Sequence, residues 1–179
     1  DSELLLSKTL NKSREKILTN LDTVIEKKNF NIFKKYIVRR SKNEPIAYIL
    51  EKKEFWSKNF KVNKDTLIPR PETELLIDKL LKIFKDKKIS ILDIGTGSGC
   101  IIVSLLSTLK QSFGTGVDNS KKAILIAKKN VTRHKLDNRI KLFNKSFENI
   151  FNKKFDLIVS NPPYIERNAL KNLSEDIKK

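Results

Sequence analysis

From residue 88 onward, short apolar runs alternate with segments of helical periodicity, and this alternation limits the possible folds more than any other feature. The runs predicted as strands are Ile89 to Ile94, Phe113 to Val117, Ile140 to Phe143 and Phe155 to Val159. The segments predicted as the helices between them are Cys100 to Leu109 and Ser120 to His134. Strands that are apolar throughout and separated by helices are typical of a parallel, doubly wound α/β sheet. We therefore expect a ligand at the carboxyl ends of the strands.

The segment Asp93-Ile94-Gly95-Thr96-Gly97-Ser98-Gly99 follows the first strand and opens a helix. Its glycines permit a tight turn and let a ligand approach the backbone, and the helix that follows offers free amide hydrogens. Asp118, at the end of the next strand, can accept hydrogen bonds from both hydroxyls of a ribose. Together these features favour an adenosine-containing cofactor. The alternative is a glycine turn that serves only strand–helix packing, with Asp118 as a helix N-cap.

A second polar loop, Ser160-Asn161-Pro162-Pro163-Tyr164, follows the fourth strand, and the expected strand order places it beside the glycine loop. Two prolines make the turn rigid, so the Asn161 side-chain carbonyl and the Pro162 backbone carbonyl can point at one spot. Such a pair of acceptors suits an NH₂ group, and Tyr164 offers a flat face for a planar amide or base. An ordinary Asn-Pro loop is the alternative.

The N-terminal half has a different organisation. Residues 1 to 41 show helical periodicity, with Ser13 and Asp22 as predicted helix N-caps. Two short strands, Glu54-Phe55-Trp56 and Phe60-Lys61-Val62, are then predicted around a Ser57-Lys58-Asn59 turn. We expect a helical domain over residues 1–44, a β-hairpin linker over 45–71 and the α/β domain over 72–179.

Composition narrows the function classes. The net charge of +17 comes from 38 basic and 21 acidic residues that are spread evenly along the chain and are mostly Lys on the basic side. It fits either a field that attracts nucleic acid or a solvated surface. A lone Cys100, no uninterrupted apolar stretch of about 18 residues and an Asp1-Ser2-Glu3 start predict a cytoplasmic protein with no membrane span and no metal site.

These loops carry a resemblance. The segments Asp93 to Gly99 and Asn161 to Tyr164, with Asp118, resemble the S-adenosylmethionine-dependent methyltransferases that act on planar nitrogen and share an Asn/Asp-Pro-Pro-Tyr/Phe signature. Further segments resemble, more narrowly, the peptide chain release factor glutamine methyltransferases: Pro45 to Ile49, Phe55-Trp56, and Thr66 to Glu74. The resemblance covers nearly the whole chain. It implies a Rossmann-like class I methyltransferase sheet preceded by a small helical domain and a β-hairpin linker.

The resemblance also implies a reaction. Such enzymes methylate the side-chain amide of the Gln in the Gly-Gly-Gln loop of class I release factors, using S-adenosyl-L-methionine and leaving S-adenosyl-L-homocysteine. The implied catalytic residues are Asn161, Pro162 and Tyr164. The implied cofactor residues are Gly95, Thr96, Gly97, Ser98, Gly99, Asp118, Phe147 and Asn161. The implied substrate residues are Asn161, Pro162, Pro163, Tyr164 and Arg70, and the alternative for Arg70 is a structural clamp on Glu72 or Glu74.

The chain also departs from that pattern. Many relatives carry Gly where Glu51 stands, and Ser146 is followed by Phe147-Glu148 where relatives often have Asp and an aromatic residue. The seven-stranded sheet of such enzymes needs three more strands after Asn161, and the chain contains no Met, so we expect a fragment of a longer chain.

The expected partner is a class I release factor, with encounters near the ribosome and no specific binding of nucleic acid. One alternative is a nucleic-acid methyltransferase that acts on an exocyclic amine of adenine or guanine. The other is a fragment that binds cofactor or release factor without turnover.

Overall fold

The computed structural model describes residues 1–20, 22–150 and 153–162. They fall into two compact units that divide between Lys52 and Lys53. The division lies inside the segment 45–71 that the sequence predicts as a linker. No helix in these described ranges has the length and apolarity needed to cross a membrane.

The first unit is helical. Its helices are α1 Ser2–Leu10, α2 Arg14–Leu18, α3 Lys27–Ser41 and α4 Ile46–Leu50. Helix α1 contacts the other three, and Leu5 and Ile49 are fully buried. The ammonium of Lys8 donates to the carbonyl of Leu50 at the end of α4 (3.0 Å). Burial of a few apolar side chains, together with this contact, therefore holds short helices that would be unstable alone.

The helix ends of this unit test the predicted caps. The Ser13 hydroxyl accepts from the amide of Lys16, so Ser13 is the N-cap of α2 as predicted. The prediction for Asp22 was wrong, because the next helix begins only at Lys27, with Glu26 as its N-cap. Glu51 ends α4 in the left-handed conformation (φ 56°), which glycine adopts at the lowest cost. The position where relatives carry Gly therefore needs glycine's backbone conformation.

A β-hairpin, β1 Lys52–Phe55 and β2 Lys58–Lys61, leads into the second unit. The predicted turn over residues 57–59 was wrong: Trp56 and Ser57 form the turn, both with positive φ (50° and 53°). Two-residue turns of this kind match the twist of the strands. The cost of positive φ in side-chain-bearing residues is offset by tertiary contacts, because Trp56 packs against the core and its amide donates to Glu74 Oε1 (2.8 Å).

The second unit contains a four-stranded parallel sheet with the order β5-β4-β3-β6. Its strands are β3 Ser90–Ile94, β4 Phe113–Asp118, β5 Ile140–Asn144 and β6 Leu157–Ser160. All four predicted strands are present, shifted by at most two residues at either end. The chain moves outward from β3 to β5 and then returns to pair β6 on the other side of β3. This reversal confirms the predicted juxtaposition of the loops that follow β3 and β6.

The helices of this unit are α5 Glu72–Ile83, α6 Cys100–Thr108 and α7 Lys121–Arg133. One core contains Ile77 of α5, Val131 of α7, Ile91 of β3 and the buried apolar residues of α6, which run from Ile101 to Leu106. The sheet approaches α6 closely at Gly114, where an added Cβ would lie 2.6 Å from Ile102 Cδ1. Contact at this distance leaves no room for a side chain at that position of β4.

One buried polar side chain connects the hairpin, α7 and the start of α6. The amide of Asn130, on α7, is fully buried and donates to the carbonyls of Lys61 (2.9 Å) and Ser98 (2.8 Å). Its oxygen accepts from the backbone N–H of Lys61 (2.7 Å). Both Nδ2 hydrogens and the carbonyl oxygen of Asn130 are thus paired, as a buried amide requires.

We predict that Asn130→Ala lowers the free energy of unfolding by about 3 kcal/mol, because it removes three hydrogen bonds and leaves the main-chain groups of Lys61 and Ser98 without this partner. Chemical denaturation measures this change. The matched control is Asn138→Ala, an exposed position for which we expect a change within about 0.5 kcal/mol. Equal stabilities of the two variants would contradict the role of the Asn130 amide.

Candidate active site

The two loops singled out in the sequence lie side by side at the point where the strand order reverses. Ile94, the last residue of β3, pairs with Ser160, the last residue of β6. The Ser160 hydroxyl also donates to the carbonyl of Ile94 (3.0 Å). Because both strands end at this level, Gly95 and Asn161 leave the sheet next to each other. In open α/β sheets this crevice is where ligands bind.

The glycine loop adopts a backbone that only glycine enters freely. The φ angles of Gly95, Gly97 and Gly99 are 68°, 54° and 78°. A Cβ on Gly99 would lie 3.4 Å from Ala127 Cβ, so this glycine also permits α7 to pack closely. Thr96 fastens the loop to β4, since its amide donates to the carbonyl of Val117 (2.9 Å). The turn is therefore rigid and leaves its outer side to a ligand.

A buried carboxyl group lies beneath this loop. Asp93 is 1% exposed, and its Oδ2 accepts from the Thr96 hydroxyl (2.7 Å). Within the described residues its Oδ1 has no hydrogen-bond partner. Burial, opposed by the Thr96 hydroxyl and the Ile102 backbone and aided by the nearby Asp118, raises the pKa of Asp93 to about 7 in all. Asp93 therefore gains or loses a proton near neutral pH.

Asp118 is anchored by main-chain donors at the end of β4. Its Oδ2 accepts from the Gly97 amide (2.9 Å) and its Oδ1 from the Ser120 amide (2.8 Å). It is not the N-cap of α7, because Ser120 takes that position and accepts from Ala123 (3.2 Å). The alternative that gave Asp118 a capping role was thus wrong. Asn144, at the end of β5, holds the same turn by donating to the carbonyl of Asp118 (2.9 Å).

These residues fit an adenosine-containing cofactor. An added Cβ at Gly95 would meet no atom within 4 Å, so the loop has open space on its outer side. Each Asp118 oxygen accepts one hydrogen bond from the protein and keeps a lone pair for a ribose hydroxyl. Phe147 begins a 3₁₀ helix Phe147–Ile150 after β5 and is 51% exposed, which leaves a ring face available to a base.

The loop after β6 contacts the start of α5. The Asn161 Nδ2 donates to the Thr73 hydroxyl (3.3 Å), which brings the Thr66 to Glu74 segment to this loop. Asn161 is half-buried and Pro162 is exposed. The predicted site residues Pro163 and Tyr164 lie outside the described residues.

Arg70 does not form the proposed clamp. It is exposed, and no ion pair joins it to Glu72 or Glu74 within the part of the chain that the structure describes. Glu74 instead accepts from the amide of Trp56 in the hairpin turn (2.8 Å). The structure therefore leaves the guanidinium of Arg70 at the surface.

Reasoning from the sequence missed Asn130 and Asn144 as residues that support the site, and it singled out the segment Thr66 to Glu74 without giving Thr73 a role. Only Asn130 left a signal, since it is a polar residue on an otherwise apolar stripe of α7 with Ala123, Ala127 and Val131. Cys100 is partly buried against the core, and this burial raises the pKa of its thiol to about 12.

Two sequence families match the chain. Residues 71–177 match the methyltransferase small domain and residues 1–50 match the PrmC N-terminal domain. The release factor glutamine methyltransferase of Buchnera aphidicola subsp. Schizaphis graminum (strain Sg) is 43% identical over 177 residues, which is 99% of this chain and 64% of that protein. The chain thus spans somewhat less than two thirds of that relative's length.

Two further similarities extend the comparison. The bifunctional methyltransferase of Rickettsia bellii (strain RML369-C) is 41% identical over 196 residues, covering 94% of this chain and 35% of that protein. The solved human methyltransferase 10 domain containing protein has a TM-score of 0.51 at 23% identity, over 63% of this chain and 59% of that one. At that identity the likeness concerns the fold alone.

The raised pKa of Asp93 predicts a pH dependence of stability. Between about pH 4 and pH 7 the folded protein keeps a proton on Asp93 that the unfolded chain releases, so stability falls as the pH rises through this window. We expect the stability difference between the wild type and Asp93→Asn to change by up to about 1.4 kcal/mol per pH unit there. Denaturation from pH 4.5 to pH 8 measures it. A difference that is constant with pH would contradict a raised pKa.

Proposed function

Because the chain belongs to the methyltransferase small domain family, we propose that it transfers a methyl group from S-adenosylmethionine to a glutamine side-chain amide of a protein release factor. The family match confirms the methyltransferase class and the fold that the sequence predicts. The N-terminal domain match and the similarity to release factor glutamine methyltransferases confirm the narrower resemblance. The single observation that carries the proposal is that β3 and β6 pair up to their last residues, Ile94 and Ser160, so that the glycine loop and Asn161-Pro162 leave the sheet next to each other.

Different residues of the chain would bind different parts of the cofactor. Gly95, Gly97 and the amides at the start of α6 would hold the amino-acid end, and Thr96, Ser98 and Gly99 keep that turn in shape. Asp118 would accept from the ribose hydroxyls, and Phe147 would stack against adenine. The cofactor supplies a methyl group on a positively charged sulfur, which makes that carbon open to attack by a nitrogen lone pair.

The loop after β6 would orient the substrate. The Asn161 Oδ1 and the Pro162 carbonyl are acceptors for the two hydrogens of a primary amide, and binding both turns the nitrogen lone pair toward the methyl carbon. Tyr164 and Pro163 would pack against the flat amide. The nitrogen then displaces the sulfur in line, and the amide loses a proton once its nitrogen is methylated. Positioning carries this step, since an amide bound through both hydrogens needs little activation by a strong base.

The substrate we propose is the Gln of the Gly-Gly-Gln loop in class I release factors. The similarity to proteins of that name supports it, and a cytoplasmic location follows from such a substrate. The charge of +17 would favour encounters with the ribosomal RNA near which release factors act.

A labelling experiment with the complete natural protein tests this assignment. With radiolabelled S-adenosylmethionine, we expect label in a class I release factor, none in a release factor whose loop Gln is replaced by Ala, and none in total nucleic acid. Label in nucleic acid alone would instead establish the alternative reaction on an exocyclic amine of adenine or guanine.

We predict that Asn161→Ala lowers the transfer rate by about 10²-fold or more, because the amide loses the acceptor that orients it. The dissociation constant for the cofactor should stay within about threefold, because the glycine loop and Asp118 are unchanged. Single-turnover transfer and calorimetric titration measure the two quantities, with Asn138→Ala as the control. Retention of the wild-type rate would contradict the role of Asn161.

A further inference from the structure

The side chain of Asn161 needs an external contact to act as described. Rotation about its last torsion exchanges Oδ1 and Nδ2, and this torsion has a broad, roughly two-fold preference. Only the orientation that turns Oδ1 toward the substrate offers an acceptor to its amide. In the structure Nδ2 donates to the Thr73 hydroxyl at 3.3 Å, and this contact leaves Oδ1 as the atom of the amide that can accept from a substrate.

Thr73 stands on a well-fixed part of the fold. Pro71 begins the first turn of α5, and there the Thr73 amide donates to the carbonyl of Arg70 (3.1 Å). The next residue, Glu74, binds the hairpin turn through the Trp56 amide (2.8 Å), and Ile77 is fully buried one turn later. Because Thr is β-branched, its hydroxyl has few allowed directions on a helix. The Thr73 hydroxyl is therefore held in place by the contacts of Arg70 before it and of Glu74 and Ile77 after it.

We propose that Thr73 is a positioning residue that holds the Asn161 side chain with Nδ2 turned away from the substrate and Oδ1 turned toward it. This inference rests on the proposed function for its effect on catalysis. Thr73 acts through Asn161 and takes no part in the glycine loop or at Asp118. Loss of the Thr73 hydroxyl should therefore slow methyl transfer without weakening the binding of the cofactor.

Three substitutions in the complete natural protein test this. Thr73→Val keeps the shape and removes the hydroxyl, Thr73→Ser keeps the hydroxyl, and Thr73→Ala guards against misfolding of the Val variant in a helix. At saturating release factor we expect kcat to fall about tenfold in Thr73→Val and Thr73→Ala and to stay within about twofold in Thr73→Ser. The cofactor dissociation constant and the KM for release factor should change little. Thr108→Val, at an exposed position on α6, is the control.

A second readout does not depend on turnover. In protein labelled with ¹⁵N-asparagine, the side-chain NH₂ signals of Asn161, assigned from Asn161→Ala, should shift in Thr73→Val and Thr73→Ala but remain near their wild-type positions in Thr73→Ser. Unchanged NH₂ signals or an unchanged kcat in the folded Val and Ala variants would overturn the inference, as would a Ser variant as slow as these two. A wild type that transfers no methyl group to release factor would overturn the proposed function, and the NMR signals would still decide on the contact.

Discussion

The buried side-chain amide of Asn130 is the interaction on which the rest of the site depends. It joins main chain from two separate segments, Lys61 in the hairpin and Ser98 in the glycine loop, to the same turn of α7. Apolar contacts alone would let these segments slide, because the hydrophobic effect has no direction, whereas hydrogen bonds define both distance and angle. The hairpin in turn donates the Trp56 amide to Glu74. Hydrogen bonds therefore connect α7, through the hairpin, to the start of α5.

The charged groups at the glycine loop are acidic, whereas the chain as a whole is basic. The protein carries an excess of 17 positive charges, yet two carboxyl groups, Asp93 and Asp118, flank the glycine loop. Asp118 keeps lone pairs for hydroxyl groups, and Asp93 lies buried with a pKa near neutrality. A locally acidic crevice in a basic protein suits a cofactor whose reacting sulfur is cationic. The positive charge of the chain is thus not repeated at the glycine loop.

How far the sequence could predict this structure depended on the range of the interactions. The strands, α6, α7 and the glycine loop follow from local periodicity and from glycines at positive φ, so their positions were predicted closely. The predicted position of the hairpin turn was wrong because Trp56 adopts a positive φ. A hydrogen bond to Glu74, which is distant in sequence, offsets the free-energy cost of that conformation. The contacts of Asn130 and Thr73 were not predicted, because their partners Lys61 and Asn161 are distant in sequence and become neighbours only through folding. The local pattern predicted that Asn161 and Pro162 could accept from an NH₂ group, and the family resemblance supplied a particular amide as the candidate substrate.

Gly114 has a consequence for how natural variants of such a protein should be interpreted. It presents only a hydrogen atom to Ile102, and this lets α6 lie directly on β4. The N-cap of the same helix is Gly99, the last residue of the glycine loop. A methyl group at Gly114 would have to displace the buried side chains of Ile102 and Leu106 on that helix. An allele altered at this position would therefore disturb the packing of the helix that follows the glycine loop, although the changed residue lies at the opposite end of β4 from that loop.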